Sequence, residues 1–264
     1  EIASCLVGSE MCIRDSYIII ILLGLVCLLP LLNIVAISFS SSAAVEGNMV
    51  GLIPVGFSTA AYEKILEDSQ FWHSFLISVE RVVLTLIINF VLIVLMAYPL
   101  SKTNAQFRGR NIYANLMIFA MLFNGGMIPT FLLVKSYGLL NTVWALVLPG
   151  AVPIFNVILV MNFFAAVPKE LEEAAFIDGA NPLQVLTKIF IPISKPVLAT
   201  VSLFSIVGSW NDFYSGLIYM SKAAYYPLMT YIQSLQINVE DLIKQGNLSA
   251  AVSYTHLTLP TNSL

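Results

Sequence analysis

Charged side chains are scarce in this chain. Twelve Lys and Arg and fifteen Asp and Glu make up 10% of 264 residues, where a soluble domain carries about 25%. So few charges cannot cover the surface of one or two globular cores of this length, which excludes an ordinary soluble enzyme. The basic residues are also too few and too dispersed for the electrostatic footprint of a nucleic-acid-binding protein, so no nucleic-acid partner is expected. There are only two histidines, His73 and His256, and neither H-E-x-x-H nor G-x-S-x-G occurs. No metal site and no catalytic residue is therefore expected, and a polytopic membrane enzyme is left without a nucleophile and base. None of the eight lysines follows a glycine, so the Gly-Lys of a phosphate-binding loop is missing and the chain cannot itself be an ATPase. Cys5, Cys12 and Cys27 form neither an even disulfide framework nor a C-x-x-C pair, and are read as chemically inert.

What the chain has instead is apolar length: 58% hydrophobic residues and a mean hydropathy of +0.87. A bilayer core of about 30 Å is crossed by about 20 mostly apolar residues, and only a helix satisfies its own backbone there. Five stretches qualify, residues 17–39, 75–100, 112–134, 142–164 and 197–220. Pro30, Gly125, Gly126, Pro149 and Pro153 fall inside them, so kinked helices are expected. The fold class is thus all-α, a polytopic membrane protein. Lys102, Arg108 and Arg110 lie between the second and third stretches, and Lys169, Lys188 and Lys195 between the fourth and fifth. The positive-inside rule makes these two links cytoplasmic, and with them the N-terminus. Phe71 and Trp72 suit the headgroup layer at the start of the second stretch.

The two ends differ in pattern from what they flank. Residues 1–16, EIASCLVGSEMCIRDS, and 252–264, VSYTHLTLPTNSL, resemble translated adapter read-through. They are expected to be non-native and are set aside from fold reasoning, which leaves 17–251 as the membrane domain. A sixth span would start near Leu248, where the sequence turns into the closing segment.

The link between the fourth and fifth stretches, residues 165–195, carries most of the local information. Pro168 suits the first turn of a helix, and Glu170, Glu172 and Glu173 suit its positive N-terminal end. Leu171, Ala174, Ala175 and Asp178 recur at helical spacing as one narrow face, and Gly179 stops the helix. Asn181 and Pro182 read as the cap and first residue of a second helix running to about Ile191, where Pro192 breaks it. From periodicity alone this is equally a solvated amphipathic connector resting on the membrane.

Glu173, Ala174, Ala175, three residues, Gly179, nine residues, Ile189, one residue, Ile191 and Pro192 resemble the EAA signature of permease subunits of bacterial ABC importers. Ile191 departs from it, since Leu is usual there. Residues 124–152 and 196–220 are similar to the carbohydrate-uptake type-1 branch, in the group of the maltose-permease G subunit and the lipoprotein-permease C proteins. The resemblance covers residues 17–251 and implies a type I ABC importer transmembrane domain of six helices, five of them clear here. It implies that Leu171, Glu173, Ala174, Ala175, Asp178, Gly179, Ile189, Ile191 and Pro192 belong to a loop that docks on a separate ATPase. The implied partners are a second permease, two ATPase subunits, an extracellular lipoprotein that binds the substrate, and the lipid of a bacterial inner membrane. ATP and Mg would be used by the ATPase subunits and no cofactor bound by this chain.

Trp210, Asn211 and Asp212 lie in the last stretch and are candidates for the translocation path. A carboxylate at membrane depth faces either a cavity or a structural partner, and both readings stand for Asp212. Asn89, Asn124, Asn156 and Asn162 are read as hydrogen-bonding glue between helices, and Arg81 as an ion-pairing or snorkelling residue. The resemblance implies uptake of an oligosaccharide. The competing readings are an ABC permease for another solute, and a channel or secondary transporter, which would need neither an ATPase nor this loop.

Overall fold

The computed structural model describes residues 2–123 and 125–244. Asn124, the expected start of a sixth span at Leu248 and the closing segment 252–264 lie outside them. The described residues divide into two compact units, one of residues 2–69 with 234–244 and one within residues 70–233. Among the described residues all regular structure is helical.

In the first unit, α1 (Ile2–Ser38) contains the stretch Tyr17–Ser38, whose mean hydropathy of 3.0 and lack of burial mark a helix surrounded by lipid or other apolar surface. Two short helices follow, α2 (Ser42–Glu46) and α3 (Ala60–Glu67). The chain between them folds back on the end of α1. Asn33 donates to the Gly51 carbonyl at 2.7 Å, Phe39 stacks on Phe57 and Tyr62, and Tyr62 donates to Ser38 at 2.9 Å.

The second unit is built on α4 (Ser69–Ser101), 33 residues with Pro99 tolerated in the last turn. It begins earlier than the hydropathy window, so Phe71 and Trp72 stand in its first turns. Its amphipathicity is inverted relative to a soluble helix. Over its first two thirds Ser74, Ser78, Arg81, Thr85 and Asn89 form the buried face, which continues in apolar Ile93, Val94, Ala97 and Leu100, whereas Leu76, Val83, Ile87, Val91 and Leu95 are exposed. In lipid the apolar residues need no cover and the polar ones do.

Among the described residues, α4 and the Tyr17–Ser38 stretch of α1 are the two helices long and apolar enough to cross alone; counting each bent helix pair as one span raises the number to as many as five. The third expected stretch is α5 (Arg110–Leu122) and α6 (Met127–Ser136), with axes 109° apart. Gly126, at φ +90°, occupies backbone space that only glycine enters readily. The fourth is α7 (Val143–Val147), a 3₁₀ turn at Leu148–Gly150 and α8 (Ile154–Ala165), bent by 48° where Pro149, Gly150 and Pro153 interrupt the ladder. After α9 (Lys169–Ile177), α10 (Pro182–Val185) and α11 (Ile191–Ile193), the fifth becomes α12 (Lys195–Asn211) and α13 (Tyr214–Tyr219), separated at Asp212 and Phe213. An additional helix that hydropathy does not reveal, α14 (Leu228–Lys244), follows.

One core joins α4, α5, α8, α10 and α12 through Ile93, Ala97, Met117, Val160, Phe164, Val185 and Val201. A second joins α6, α7 and α13 through Val134, Ala145, Leu146 and Tyr219. The start of α14 is held by polar contacts. Leu228 donates its N–H to Ser78 at 2.7 Å, and Thr230, fully buried, donates to the Phe213 carbonyl at 2.8 Å.

Gly216 on α13 lies against Thr230. A Cβ there would sit 2.8 Å from the Thr230 Cβ and 2.9 Å from its Cγ2. Gly216→Ala is expected to destabilise the chain by about 1–3 kcal/mol through overpacking. Thermal unfolding in detergent should show the loss; an unaffected Gly216→Ala variant would contradict this packing.

Candidate functional site

The link between α8 and α12 folds as a braced helical hairpin. Pro168 stands at the N-cap of α9, one residue before the first turn that carries Glu170 and Glu172. The helix closes with a Schellman motif: Gly179, at φ +81°, donates to the Phe176 carbonyl at 3.0 Å and Ala180 to Ala175 at 2.9 Å. Two residues later Asn181 opens α10 with a full capping box. Its side chain accepts the Gln184 N–H at 2.8 Å, and its own N–H donates to the Gln184 side chain at 2.9 Å. These caps fix the angle between the two arms.

Two details depart from the sequence reading. Pro192 does not break the second helix. A π turn at Leu186–Phe190 precedes it, widening the ladder so that the carbonyl one turn back clears the proline ring. The bend, 84°, falls instead at Ser194, between α11 and α12. Nor do Leu171, Ala174, Ala175 and Asp178 share one environment. Ala175 is half-buried against the core, with Ile189 and Ile191, while Leu171, Ala174, Asp178 and the adjacent Glu173 are exposed, as are Gly179 and Pro192. The exposed ridge also includes Phe176, 43% exposed, Ile177, 86%, and Leu183, 62%. A short polar link with exposed Phe and Ile at its turn was the available signal for these three residues.

The hairpin is tied to α4 by an ion pair that local pattern does not show. Lys102, just past the end of α4, places its Nζ 2.7 Å from Glu172 Oε1, with both side chains about nine-tenths buried. The ammonium lies 4.2 Å from the centroid of the Tyr98 ring and 4.3 Å from that of Phe190. Phe164 packs edge-on against Phe190 at 5.4 Å. A desolvated cation between two ring faces and one carboxylate is strongly localised. Arg110 donates to the Leu100 carbonyl at 2.8 Å and caps the same end of α4.

A second feature lies toward the other end of α4. Arg81, 4% exposed, forms an ion pair with Asp212 Oδ2 and donates to the Asp212 carbonyl at 2.9 Å. Asp212 in turn accepts the Ser215 N–H at 3.1 Å, starting α13. These groups line a half-open cavity of about 290 Å³ together with Thr85, Asn89, Asn156 and Ser205. Asn89 donates to Ser205 at 3.2 Å, joining α4 to α12 as expected of a glue residue, whereas Asn156 turns to the cavity and Asn162 is exposed. Of the three translocation-path candidates, only Asp212 reaches the cavity. Trp210 packs edge-on against Phe75 at 6.0 Å, continuing a ladder of Phe71, Trp72 and Phe75, and Asn211 is exposed. Among the described residues no group of three or more His, Cys, Asp and Glu could hold a metal.

The family model described as binding-protein-dependent transport system inner membrane component matches residues 83–264. Protein LplC of Bacillus subtilis (strain 168) is 42% identical over 81% of this chain and 72% of its own length. The polygalacturonan/rhamnogalacturonan transport system permease protein YtcP of the same organism is 40% identical over 88% of this chain and 80% of its own. The crystal structure of a bacterial ABC transporter involved in the import of the acidic polysaccharide alginate contains a chain that superposes with a TM-score of 0.80. That chain is 32% identical, and the match covers 92% of this chain and 88% of that one.

Because Lys102 and Glu172 are buried together, removing one strands the other. Lys102→Ala and Glu172→Ala are each expected to cost about 3 kcal/mol. In a double-mutant cycle read by denaturant unfolding in mixed micelles, the double variant should cost about 1–2 kcal/mol less than the two singles combined. Strict additivity would show that the two groups do not interact.

Proposed function

The chain belongs to the binding-protein-dependent transport system inner membrane components, and from that membership we propose that it is one permease subunit of an ATP-driven oligosaccharide importer. The names of its relatives, a polygalacturonan/rhamnogalacturonan permease among them, and of the alginate importer support the saccharide class. Its partners are a second permease, two ATPase subunits and an extracellular lipoprotein that delivers the substrate. The chain lies in a bacterial cell membrane with its N-terminus and the hairpin 165–195 in the cytoplasm, the side favoured by Lys169, Lys188 and Lys195. ATP and Mg act in the ATPase subunits.

The observation that carries this reading is the exposed ridge of Leu171, Ala174, Phe176, Ile177 and Leu183 on a hairpin whose opposite side is packed into the core. An apolar patch on a rigid, braced turn in water is the signature of a docking surface. Glu173 and Asp178 flank it, Gly179 shapes the turn, and Ala175, Ile189 and Ile191 brace it from within. Pro192 lies on the connection to α12. Closure of the ATPase subunits would push α9, and the caps at Gly179 and Asn181 transmit that push to α12 without the hairpin unfolding.

Ile177 is largely exposed, so its replacement should spare the fold. In the importer reconstituted with its partners, Ile177→Asp is expected to weaken association of the ATPase subunits at least tenfold, about 1.4 kcal/mol. Glu173→Lys should lower uptake per ATP hydrolysed. Wild-type association and uptake in both variants would refute docking through this ridge.

A further inference from the structure

The cavity beside the Arg81–Asp212 pair contains polar atoms that the chain itself does not satisfy. Arg81 Nε, Thr85 Oγ1 and Asn89 Oδ1 are all buried and have no hydrogen-bond partner. Their residues are 4%, 7% and 4% exposed, and all three line the cavity. They are spaced by four residues along α4, so they form one straight stripe. Leaving a donor and two acceptors bare in a membrane-embedded interior is costly, and such a cost persists where a ligand or water supplies the missing bonds. Neighbouring groups on the same residues are committed elsewhere: Asn89 Nδ2 to Ser205, and both terminal nitrogens of Arg81 to Asp212.

Resting on the reading of the chain as a saccharide importer subunit, we propose that this cavity is a subsite for one neutral sugar ring in transit. An N–H donor beside a hydroxyl and a carbonyl oxygen suits vicinal hydroxyls, each of which both donates and accepts. Phe204, half-exposed and among the lining residues, supplies an aromatic side chain for the apolar side of a pyranose. The volume, about 290 Å³, is at the lower end of the ~300–1,000 Å³ of small-molecule pockets, which fits a single ring and not a chain. Neutrality follows from charge. Arg81 and Asp212 are the charged residues of the lining and they neutralise each other. A uronate carboxylate entering here would have to displace Asp212 from Arg81, whereas a hydroxyl takes the free Nε and leaves the pair whole.

The test is equilibrium binding of tritiated cellobiose, xylobiose and mannobiose, with digalacturonate as the acidic counterpart. The receptor is the assembled importer in lipid nanodiscs, without its binding protein. At least one neutral disaccharide should bind. Thr85→Val should weaken it about tenfold, the loss of one hydrogen bond, and Thr85→Ser should restore it. Asn89→Leu should weaken it as well, and digalacturonate should bind less well than the neutral sugar. No neutral binding, a Thr85→Val variant that binds like wild type, or tighter binding of digalacturonate would each overturn the subsite. ATP-driven uptake by the same wild-type complex with its binding protein added judges the importer reading separately. Uptake without cavity binding removes the subsite alone, and absence of uptake removes both.

Discussion

Charges taken out of water must be paired, and among the described residues that constraint is met by two ion pairs set along one helix. Arg81 near the start of α4 binds Asp212, and Lys102 just past its end binds Glu172. The two cations are separated by roughly 31 Å at 1.5 Å per helical residue. Between them the buried face of α4 passes from polar to apolar, so the helix packs as a strut with two widely spaced ionic anchors. The partners of both anchors lie on the C-terminal half of the chain. Asp212 ends α12 and Glu172 opens the hairpin that leads into it, so α4 and α12 are tied twice.

This arrangement relates the hairpin to the cavity. The exposed ridge of α9 is one side of a short helix whose other side holds Glu172, and Glu172 is held by Lys102 between two aromatic rings. On the proposed docking, a displacement of α9 acts on α4 through this ion pair and on α12 through the π turn and the bend at Ser194. Both helices continue to the cavity, where Arg81, Asn89, Ser205 and Asp212 face one another. On that proposal a path with few joints would carry the movement, each joint a named cap, ion pair or bend. The membrane-depth polar groups of the chain are gathered where those paths converge.

Much of this was legible locally. Hydropathy locates the apolar stretches because the bilayer sets their length, and Gly126, Pro149 and Pro153 mark where two of the helices break, whereas Pro30 stays inside the continuous α1 and the break at Asp212 and Phe213 has no Pro or Gly to announce it. Gly179 as a stop and Asn181-Pro182 as a start correspond to the Schellman motif and capping box, since caps depend on residues three to five positions apart. The relationships that define the site are not of that kind. Glu172 and Lys102 are 70 residues apart, and Arg81 and Asp212 are 131 apart. Their pairing follows from helix packing, which no local spacing encodes. The same holds for Ala175 turning inward while Ile177 turns out: a face read at 100° per residue says which residues align, and the neighbours decide which side is covered. α14 was hidden because its mixed polarity carries no span signal.

On the proposed function, transport through this chain is driven by ATP through a separate subunit. The most direct measurement is uptake of a labelled oligosaccharide into proteoliposomes that contain this chain and its partner permease, with the binding protein outside and the ATPase subunits and nucleotide inside. Accumulation against a gradient is expected that requires both ATP and the ATPase subunits and is insensitive to collapse of ion gradients. Downhill flux through the two permeases alone, or accumulation abolished by an ionophore while ATP is still hydrolysed, would contradict it.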